Sequence, residues 1–415
     1  MQQSSEVVIT GMGVASPIGI GTDAVWHSLL ANRSGVRVRA GVDKSSEPWS
    51  LYAAVEDFDG KASIPRKSLK VMCREIQLGY VSAAMAIADA KIAPGIFSPQ
   101  RIATVFASEA FYANPEDLVP AFRQCMTLGN DVSAWGQVAP REIEPLWMLK
   151  YLPNMAASHV SILLDAQGPS NTLVLGDNSS LPALIEGVEL IQRGWADLVI
   201  VGATGSQLNP TSTVYRDRTR LAREVACPAA AVRPFDANRS GTVFGEGAAA
   251  FVIETEASAR ARGANILARV LGSDRAFAAP GQIPERLARS IRDTLTRSGL
   301  RPEDIGHINA NGTGVVEEDR MEAQGLARAL PACQVFAPKS YFGVLGPATG
   351  AVELVCTILA LQHRVLPATL NYQTPDPQCP LAVVAKNTML ASPVALVVNQ
   401  APTGQIATVA IERIS

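Results

Sequence analysis

One stretch of the sequence constrains the fold more than any other: Gly168-Pro-Ser-Asn-Thr-Leu-Val-Leu-Gly-Asp-Asn-Ser-Ser-Leu181. Its pattern predicts a short buried strand from Thr172 to Leu175, a tight turn at Gly176 and a helix from about Ser179. Such an elbow presents one side chain at a helix N-terminus, where unpaired N–H groups and the helix dipole favour negative charge. Enzymes use elbows of this kind to hold a nucleophile, often a cysteine thiolate. Here the residue at the elbow is Asp177.

Composition excludes several classes of protein. The 415 residues are 47% apolar, enough for a large core, and the net charge of −2 gives no electrostatic footprint for nucleic acid or an anionic membrane. The six cysteines have no C-x-x-C spacing, which argues against a metal site or a disulfide framework. No apolar run approaches the roughly 18 residues that span a bilayer, and the polar N-terminus lacks a signal-peptide pattern. We therefore expect a cytoplasmic protein.

The order of the elements predicts an α/β protein. Strands alternate with helices, including a long helix from Arg66 to Lys91 and a buried one from Gly346 to His363, and the pattern repeats in a second half. We place the halves at residues 1–255 and 256–415. The pair Gly11-Met-Gly13 is predicted to form a tight turn, because Ser16 and Pro17 do not fit a dinucleotide-binding loop. We expect neither a cofactor nor a metal.

Three motifs carry a family resemblance. They are Gly168-Pro-Ser170 with its elbow and Ser179-Ser180, the run Arg233-Pro-Phe-Asp236, and the glycine-rich run from Gly241 to Gly247. Together they resemble the β-ketoacyl-[acyl carrier protein] synthases of the thiolase superfamily, over essentially the whole chain. The resemblance implies a thiolase-like fold, with two similar α/β halves in layered α-β-α-β-α order. It also implies that the acyl-accepting cysteine of the family is Asp177 here.

The resemblance weakens at the other catalytic positions. Where the family has Ala-His-Gly-Thr, this chain has Asn311 in place of the first histidine, and the matching acids Asp319 and Glu322 follow it. The family's Lys-Ser-x-x-Gly-His begins here with Lys339 and ends with Val344 in place of the second histidine.

The family's C-terminal loop also differs in this chain. In the loop from Asn399 to Gln405, Ala401 and Thr403 replace the two phenylalanines that gate the acyl pocket. By resemblance, the backbone of Thr403 occupies an oxyanion-hole position.

Condensation needs chemistry that these residues do not provide. The family uses a thiolate to take the acyl group and two imidazoles to assist decarboxylation and hold the enolate. A valine cannot exchange a proton, an asparagine cannot titrate, and an aspartate is a weak nucleophile toward a thioester. Losing one such group typically lowers the rate by about 10²–10⁴-fold. We therefore expect no condensing activity.

Three functions remain open. The leading hypothesis is a partner subunit similar to the chain-length factors, which binds acyl carrier protein thioesters and pairs with an active ketosynthase. The second is an enzyme of different chemistry, a hydrolase, acyltransferase or decarboxylase. It would use Asp177 as base, Asn311 as oxyanion donor, Lys339 as electrostatic aid and Ser179 or Ser180 as nucleophile. The third is an acyl-chain binding protein without turnover.

Three residue-level expectations accompany these hypotheses. We predict that Asp177 is the N-cap of the central helix rather than a base. For Asn311, a structural role and a role in a live site remain open. His159 matches a structural histidine of the family and is expected in the core. Because the predicted strand from Thr172 to Leu175 is apolar, and its family counterpart pairs across a two-fold axis, we expect a homodimer or heterodimer.

Overall fold

The structure is a computed structural model that describes residues 6–39, 50–109, 113–129, 131–223, 225 and 227–414. Its strands are β1 Val7–Ser16, β2 Gly19–Ile20, β3 Arg37–Val38, β4 Leu51–Tyr52, β5 Ile102–Ala107, β6 Ser170–Leu173, β7 Leu198–Ser206, β8 Glu246–Thr255, β9 Ala268–Phe277, β10 His307–Asn309, β11 Gln334–Phe336, β12 Val365–Leu366, β13 Ala382–Val383, β14 Thr388–Met389, β15 Val394–Gln400 and β16 Gln405–Glu412.

Helices connect most of these strands. They are α1 Thr22–Leu30, α2 Arg66–Leu69, α3 Arg74–Asp89, α4 Pro115–Gly129, α5 Trp135–Glu142, α6 Met155–Leu164, α7 Ser180–Gln192, α8 Pro210–Tyr215, α9 Glu256–Ala261, α10 Ile283–Ser298, α11 Val316–Ala329, α12 Lys339–Phe342 and α13 Thr349–His363. Among the described residues, no helix is both long and apolar enough to cross a bilayer.

The sheet topology repeats from one half of the chain to the other. The first half has the strand order β6-β5-β7-β8-β1, and the second half has β11-β10-β15-β16-β9. In each half the first three strands are parallel and the last two pairings are antiparallel. The expected pair of similar α/β halves is confirmed. Because β1 pairs with β9, both halves share one sheet, and the division at residues 255 and 256 stays a prediction.

The helices form three layers around the two halves of the sheet. Strand β7 is buried along its whole length, so both of its faces are covered. Helices α7 and α13 share one core with strands of both halves and form the central layer. Helices α3 and α6 cover the outer face of the first half, and α10 and α11 cover the outer face of the second. This is the α-β-α-β-α order that the resemblance implies.

The N-terminal glycine pair lies inside a strand, so the predicted turn is wrong. A Cβ atom on Gly11 would lie 2.3 Å from the carbonyl oxygen of Ala86, and one on Gly13 would lie 2.2 Å from that of Ser82. Both carbonyls belong to α3. The glycines therefore allow α3 to pack directly against β1.

The long helix predicted from Arg66 to Lys91 is two helices, α2 and α3. The side-chain amide of Gln77 donates a hydrogen bond to the carbonyl oxygen of Met72 at 3.0 Å. A continuous helix would use that carbonyl for a backbone hydrogen bond. The second long helix also begins later than predicted, since α13 starts at Thr349 after a 3₁₀ turn at Gly346–Ala348.

The elbow strand lies at an open edge of the sheet and is not buried. It spans Ser170–Leu173 as β6 and pairs with β5 alone among the described residues. Beyond its end, Val174 is 48% exposed and Leu175 is 39% exposed. The predicted buried strand from Thr172 to Leu175 is therefore wrong in its bounds and in its burial. Its apolar residues mark an edge that a single chain leaves uncovered.

Candidate active site

The elbow itself forms as predicted. Gly176 adopts φ of 64°, which favours glycine, and the chain makes a 3₁₀ turn over Gly176–Asn178 before α7 begins at Ser180. The hydroxyl of Ser179 accepts a hydrogen bond from the backbone N–H of Leu175 at 2.9 Å and donates one to the carbonyl of Gly176 at 2.7 Å. Ser179 therefore holds the turn together.

Asp177 does not cap α7. Its carboxylate accepts a hydrogen bond from Nε2 of Gln207 at 3.0 Å and lies 3.4 Å from Nη1 of Arg220. The N-cap residue of α7 is Ser179, and no side chain of the described residues caps the helix. The cap prediction is wrong because the carboxylate bonds to two side chains that lie far away in the sequence. Neither Gln207 nor Arg220 carries a local signal that could have revealed this.

Arg220 connects the elbow to the second half of the site. Its guanidinium forms a two-point contact with Glu318, with Nε to Oε1 at 2.8 Å and Nη2 to Oε2 at 3.1 Å. Glu318 also accepts a hydrogen bond from the hydroxyl of Thr313 at 2.9 Å. A two-point pair of this kind is stronger and more directional than a single contact. It ties Asp177 to the loop that carries Asn311.

Two buried acids shape that loop. Glu322 accepts hydrogen bonds from the backbone N–H groups of Asn311 at 2.6 Å and Gly312 at 2.7 Å. Burial raises the pKa of Glu322 to about 8, although these N–H donors and Lys339 oppose the shift. Both of its carboxylate oxygens bond to backbone, so Glu322 positions Asn311.

Asp319 does the same for the next part of the loop. It accepts hydrogen bonds from the backbone N–H groups of Thr313 at 2.9 Å, Gly314 at 3.1 Å and Phe235 at 2.8 Å. Burial raises its pKa to about 6, against the opposing effect of these donors and of Arg239. Phe235 belongs to the Arg233–Asp236 motif, so the acid links two segments that the sequence singled out.

Asn311 lies at the centre of a buried polar network. Its Oδ1 accepts hydrogen bonds from Nζ of Lys339 at 3.0 Å, Nδ2 of Asn399 at 3.2 Å and the backbone N–H of Gln400 at 3.4 Å. The ammonium of Lys339 also bonds the carbonyl oxygen of Asn311 at 2.6 Å and Oε1 of Glu353 at 2.7 Å. An ammonium has three donors, so Lys339 has none left for a ligand.

Glu353 is a site residue that the sequence analysis missed. It is fully buried on α13, and burial raises its pKa to about 7 against the opposing charge of Lys339. Its Oε2 atom has no hydrogen-bond partner among the described residues. One signal could have revealed it, because Glu353 is a lone acid within the apolar run from Ala351 to Cys356.

The remaining predicted positions contribute backbone and apolar surface. Val344 is fully buried, and its N–H and carbonyl bond to Val243 and Gly245, both at 2.9 Å. Thr403 lies exposed in the turn between β15 and β16, where its hydroxyl bonds to Gln405. Its oxyanion-hole role stays a prediction. Ala401, at the first gate position, is buried.

The central helices begin side by side at this site. A Cβ atom on Gly350, in the first turn of α13, would lie 2.6 Å from Oγ of Ser180, the first residue of α7. The Ser180 hydroxyl is buried and has no hydrogen-bond partner among the described residues. It therefore has no base to activate it. His159 is buried on α6, which packs on the opposite face of the sheet from α7.

The structure thus brings together only some of the predicted residues. Lys339 and Asn311 are in direct contact, whereas Asp177 reaches the same loop through Arg220 and Glu318. Within the described parts of the chain, no hydrogen bond or ion pair joins Asp177 to Asn311 or to Val344.

Comparisons with known proteins identify the family. The family model for the β-ketoacyl synthase N-terminal domain matches residues 4–259, and that for the C-terminal domain matches residues 264–373. The chain belongs to the β-ketoacyl synthase family. It is 34% identical over 391 residues to the tetracenomycin polyketide synthase ketoacyl synthase alpha subunit of Streptomyces glaucescens, covering 91% of this chain and 90% of that protein.

Other relatives of the family agree in fold. The 3-oxoacyl-[acyl-carrier-protein] synthase 2 of Staphylococcus aureus is 31% identical over 395 residues, covering 92% of each chain. A β-ketoacyl synthase from Burkholderia phymatum superposes with a TM-score of 0.88 at 27% identity, covering 99% of this chain and 100% of that one. The ishigamide ketosynthase/chain length factor superposes with a TM-score of 0.87 at 25% identity, covering 100% of both chains. The thiolase-like ketosynthase fold is therefore confirmed.

Proposed function

We propose that this chain is a non-condensing ketosynthase-family subunit of fatty acid or polyketide synthesis. In this role it pairs with an active ketosynthase and shapes the pocket that the partner's product occupies. The observation that carries the proposal is the polar network around Asn311. All three donors of Lys339 are engaged, Oδ1 of Asn311 accepts three hydrogen bonds, and Asp177 is held by Gln207 and Arg220, while the third position is a buried valine. A condensing site needs groups that are free to accept and release protons.

Two further observations support a partner role. One neighbour in structure is named a ketosynthase/chain length factor, and this chain aligns over its full length. In addition, the apolar residues beside β6 are exposed in the single chain. Such exposure is expected of a sheet edge that a second subunit covers. An obligate interface at this edge would bury on the order of 2,000 Å² or more.

The hydrolase hypothesis receives less support from the geometry. Ser179 uses its hydroxyl to close the turn at Gly176, and Ser180 has no base within hydrogen-bond reach among the described residues. An activated serine needs such a base. Asp177 is engaged by Gln207 and Arg220, so it would have to leave both to accept a proton.

The direct test is a turnover assay on the purified protein. The protein would be incubated with acyl and malonyl carrier-protein thioesters, and mass spectrometry would follow protein adducts, β-ketoacyl product and released acid. We expect none of the three from this chain alone. We also expect a ketosynthase with an intact cysteine and two histidines to co-purify with it from its native host. Condensation by the isolated chain, lost in Asp177→Ala, would contradict the proposal.

A further inference from the structure

A second site lies next to the elbow. Ser206 and Leu208, which flank Gln207, line a cavity of about 550 Å³. Pockets that bind small molecules usually enclose about 300–1,000 Å³, so this cavity is of a suitable size. Most of its other lining groups are polar, and they include Glu75, Asn114, Tyr151 and the ion pair of Arg74 with Glu246. The exposed surface of this wall is nonetheless largely apolar, which suits the methylene stem of an acyl chain, while its few polar groups need a polar end to bind.

The carboxyl group of Glu75 is the unusual feature of this wall. Glu75 is only 7% exposed and begins the first turn of α3. Its one side-chain neighbour in hydrogen-bonding position is the thiol of Cys73. No ion pair reaches Glu75 among the described residues. Arg74, the adjacent cation, instead bonds to Glu246 at 2.7 Å and to the carbonyl oxygen of Val55 at 2.7 Å.

Other charges around the cavity do not compensate Glu75. Burial, together with the nearby carboxylates Glu109 and Glu246, raises its pKa to about 7, although hydrogen bonds from its own backbone N–H and from the Cys73 thiol oppose the shift. Arg39 also lines the cavity, but its guanidinium lies over the ring of Tyr52, 5.6 Å from the centroid. A buried carboxyl without a cation is costly unless a hydrogen-bond donor reaches it.

Acceptors without donors also lie between the cavity and the elbow. Gln207 is 1% exposed, and while its Nε2 bonds to Asp177, its Oε1 has no partner among the described residues. Oε1 of Glu109 is likewise unpartnered, and its Oε2 bonds to Arg216 at 2.7 Å. The charge of Asp177 raises the pKa of Glu109, and the charge of Glu109 in turn raises the pKa of Glu75. Acceptors thus extend from the elbow toward the cavity.

We propose that this cavity binds an acyl chain whose distal end donates hydrogen bonds, a hydroxyl or a protonated amine, to the carboxyl of Glu75. This inference rests on the proposed function, in which the protein binds acyl groups delivered by a carrier protein. It adds which class of acyl group is bound. Glu75 is then a specificity-determining residue that contacts the ligand.

The test is binding by calorimetry to the full-length protein. The probes are pantetheine amides carrying hexanoyl, ω-hydroxyhexanoyl and ω-aminohexanoyl chains, which differ only at the distal end. We expect both polar chains to bind at least about tenfold more tightly than hexanoyl, the size of effect that a hydrogen bond to a charged group provides. Glu75→Gln should remove the preference for the amine but keep that for the hydroxyl. Glu75→Leu should remove both preferences.

The control is Glu285→Gln, which changes an acid on α10 whose side chain is 77% exposed. It should bind all three probes like the wild type. The inference is overturned if hexanoyl binds as tightly as the polar chains, if no probe binds, or if the polar preference survives in Glu75→Leu. None of these outcomes would contradict the partner-subunit proposal, because that proposal is tested separately by co-purification and by the absence of condensation.

Discussion

The guanidinium of Arg220 lies 3.4 Å from the carboxylate of Asp177 and contacts both carboxylate oxygens of Glu318. All three side chains are largely buried, with 12–16% of their surface exposed. The elbow and the Asn311 loop come from different halves of the chain, and this pair of contacts braces them against each other. The residue at the nucleophile position therefore serves the architecture of the site.

Two substitutions at Asp177 separate its structural contacts. Asp177→Ala leaves the buried amide of Gln207 without its acceptor, and we expect a loss of about 1–3 kcal/mol in unfolding free energy. Asp177→Asn keeps an oxygen for Gln207, and Arg220 keeps its two-point contact with Glu318, so we expect a smaller loss than in the alanine variant. Urea denaturation of both variants measures the difference. An alanine variant as stable as the asparagine variant would show that the Gln207 contact contributes nothing.

Restoring the cysteine alone should not restore condensation. Asp177→Cys supplies a thiol at the elbow, but Val344 still cannot exchange a proton and Asn311 stays locked to Lys339. We expect acylation of the new thiol without β-ketoacyl product, detected by mass spectrometry of the intact protein and of the released products. A β-ketoacyl product from the single variant would show that the two histidine positions are dispensable in this chain.

Removing the ammonium of Lys339 should be among the most damaging changes. Lys339→Met leaves Glu353 and the backbone carbonyl oxygen of Asn311 buried without their donor, and breaking a buried pair typically costs about 3–5 kcal/mol. The double variant Lys339→Met with Glu353→Gln should recover part of this loss, because no buried charge remains unpaired. Lys150→Met, at a more exposed pair with Asp117, is the control and should cost less than about 1 kcal/mol. Equal losses in both single variants would contradict the argument.

Stability should fall with acid through His307. This residue is fully buried on β10, neither ring nitrogen has a hydrogen-bond partner among the described residues, and burial lowers its pKa to about 3. The unfolded chain takes up the proton near pH 6.5 and the folded chain does not. His307 therefore has no effect above about pH 6.5 and lowers stability by about 1.4 kcal/mol per pH unit as pH falls toward 3.

The corresponding variant isolates this contribution from that of the carboxylates. His307→Leu should flatten the pH dependence of the unfolding free energy between pH 6.5 and 4 relative to the wild type. His27→Gln, at an exposed position on α1, should leave it unchanged. Identical pH profiles for the wild type and His307→Leu would mean that the buried imidazole is protonated in the folded state.

The open edge beside β6 predicts self-association or a partner. Val174→Lys places a charge on the exposed apolar edge, and we expect it to shift the protein to monomer in analytical ultracentrifugation at micromolar concentration. Ile96→Lys is a matched control, because Ile96 is 45% exposed compared with 48% for Val174. A wild type that is monomeric without a partner would contradict a homodimer and leave only an obligate heterodimer.

Much of the fold could be predicted from local patterns. Helix α7 begins within one residue of the prediction, because burial and periodicity are local signals. The errors arose where two elements approach each other. Gly11 and Gly13 have the composition of a turn, and only the contact with α3 explains them. Likewise, the apolar residues around Thr172 do not reveal that β6 lies at an edge of the sheet that a single chain leaves uncovered.

The candidate site was harder to predict than the fold. The positions of Asp177, Asn311, Lys339 and Val344 came from motifs, but their partners did not. Gln207 and Arg220 lie 30 and 43 residues from Asp177, and no spacing rule connects residues that distant. Glu353 was visible as an acid in an apolar helix, yet its bond to Lys339 depends on how two elements of the second half pack together. Roles set by tertiary contacts need the structure.

The adjoining first turns of α7 and α13 have a consequence for the electrical environment of the elbow. Both helices direct their positive ends to the place where residue 177 lies. An ionised aspartate there carries the same single negative charge as a thiolate, so the exchange conserves charge while it removes nucleophilicity. The reactivity of this position and its electrostatic potential are thus separable properties. Under the proposed function, a carrier-bound thioester approaching the elbow would meet a negative charge on a side chain that is a weaker nucleophile than a thiolate.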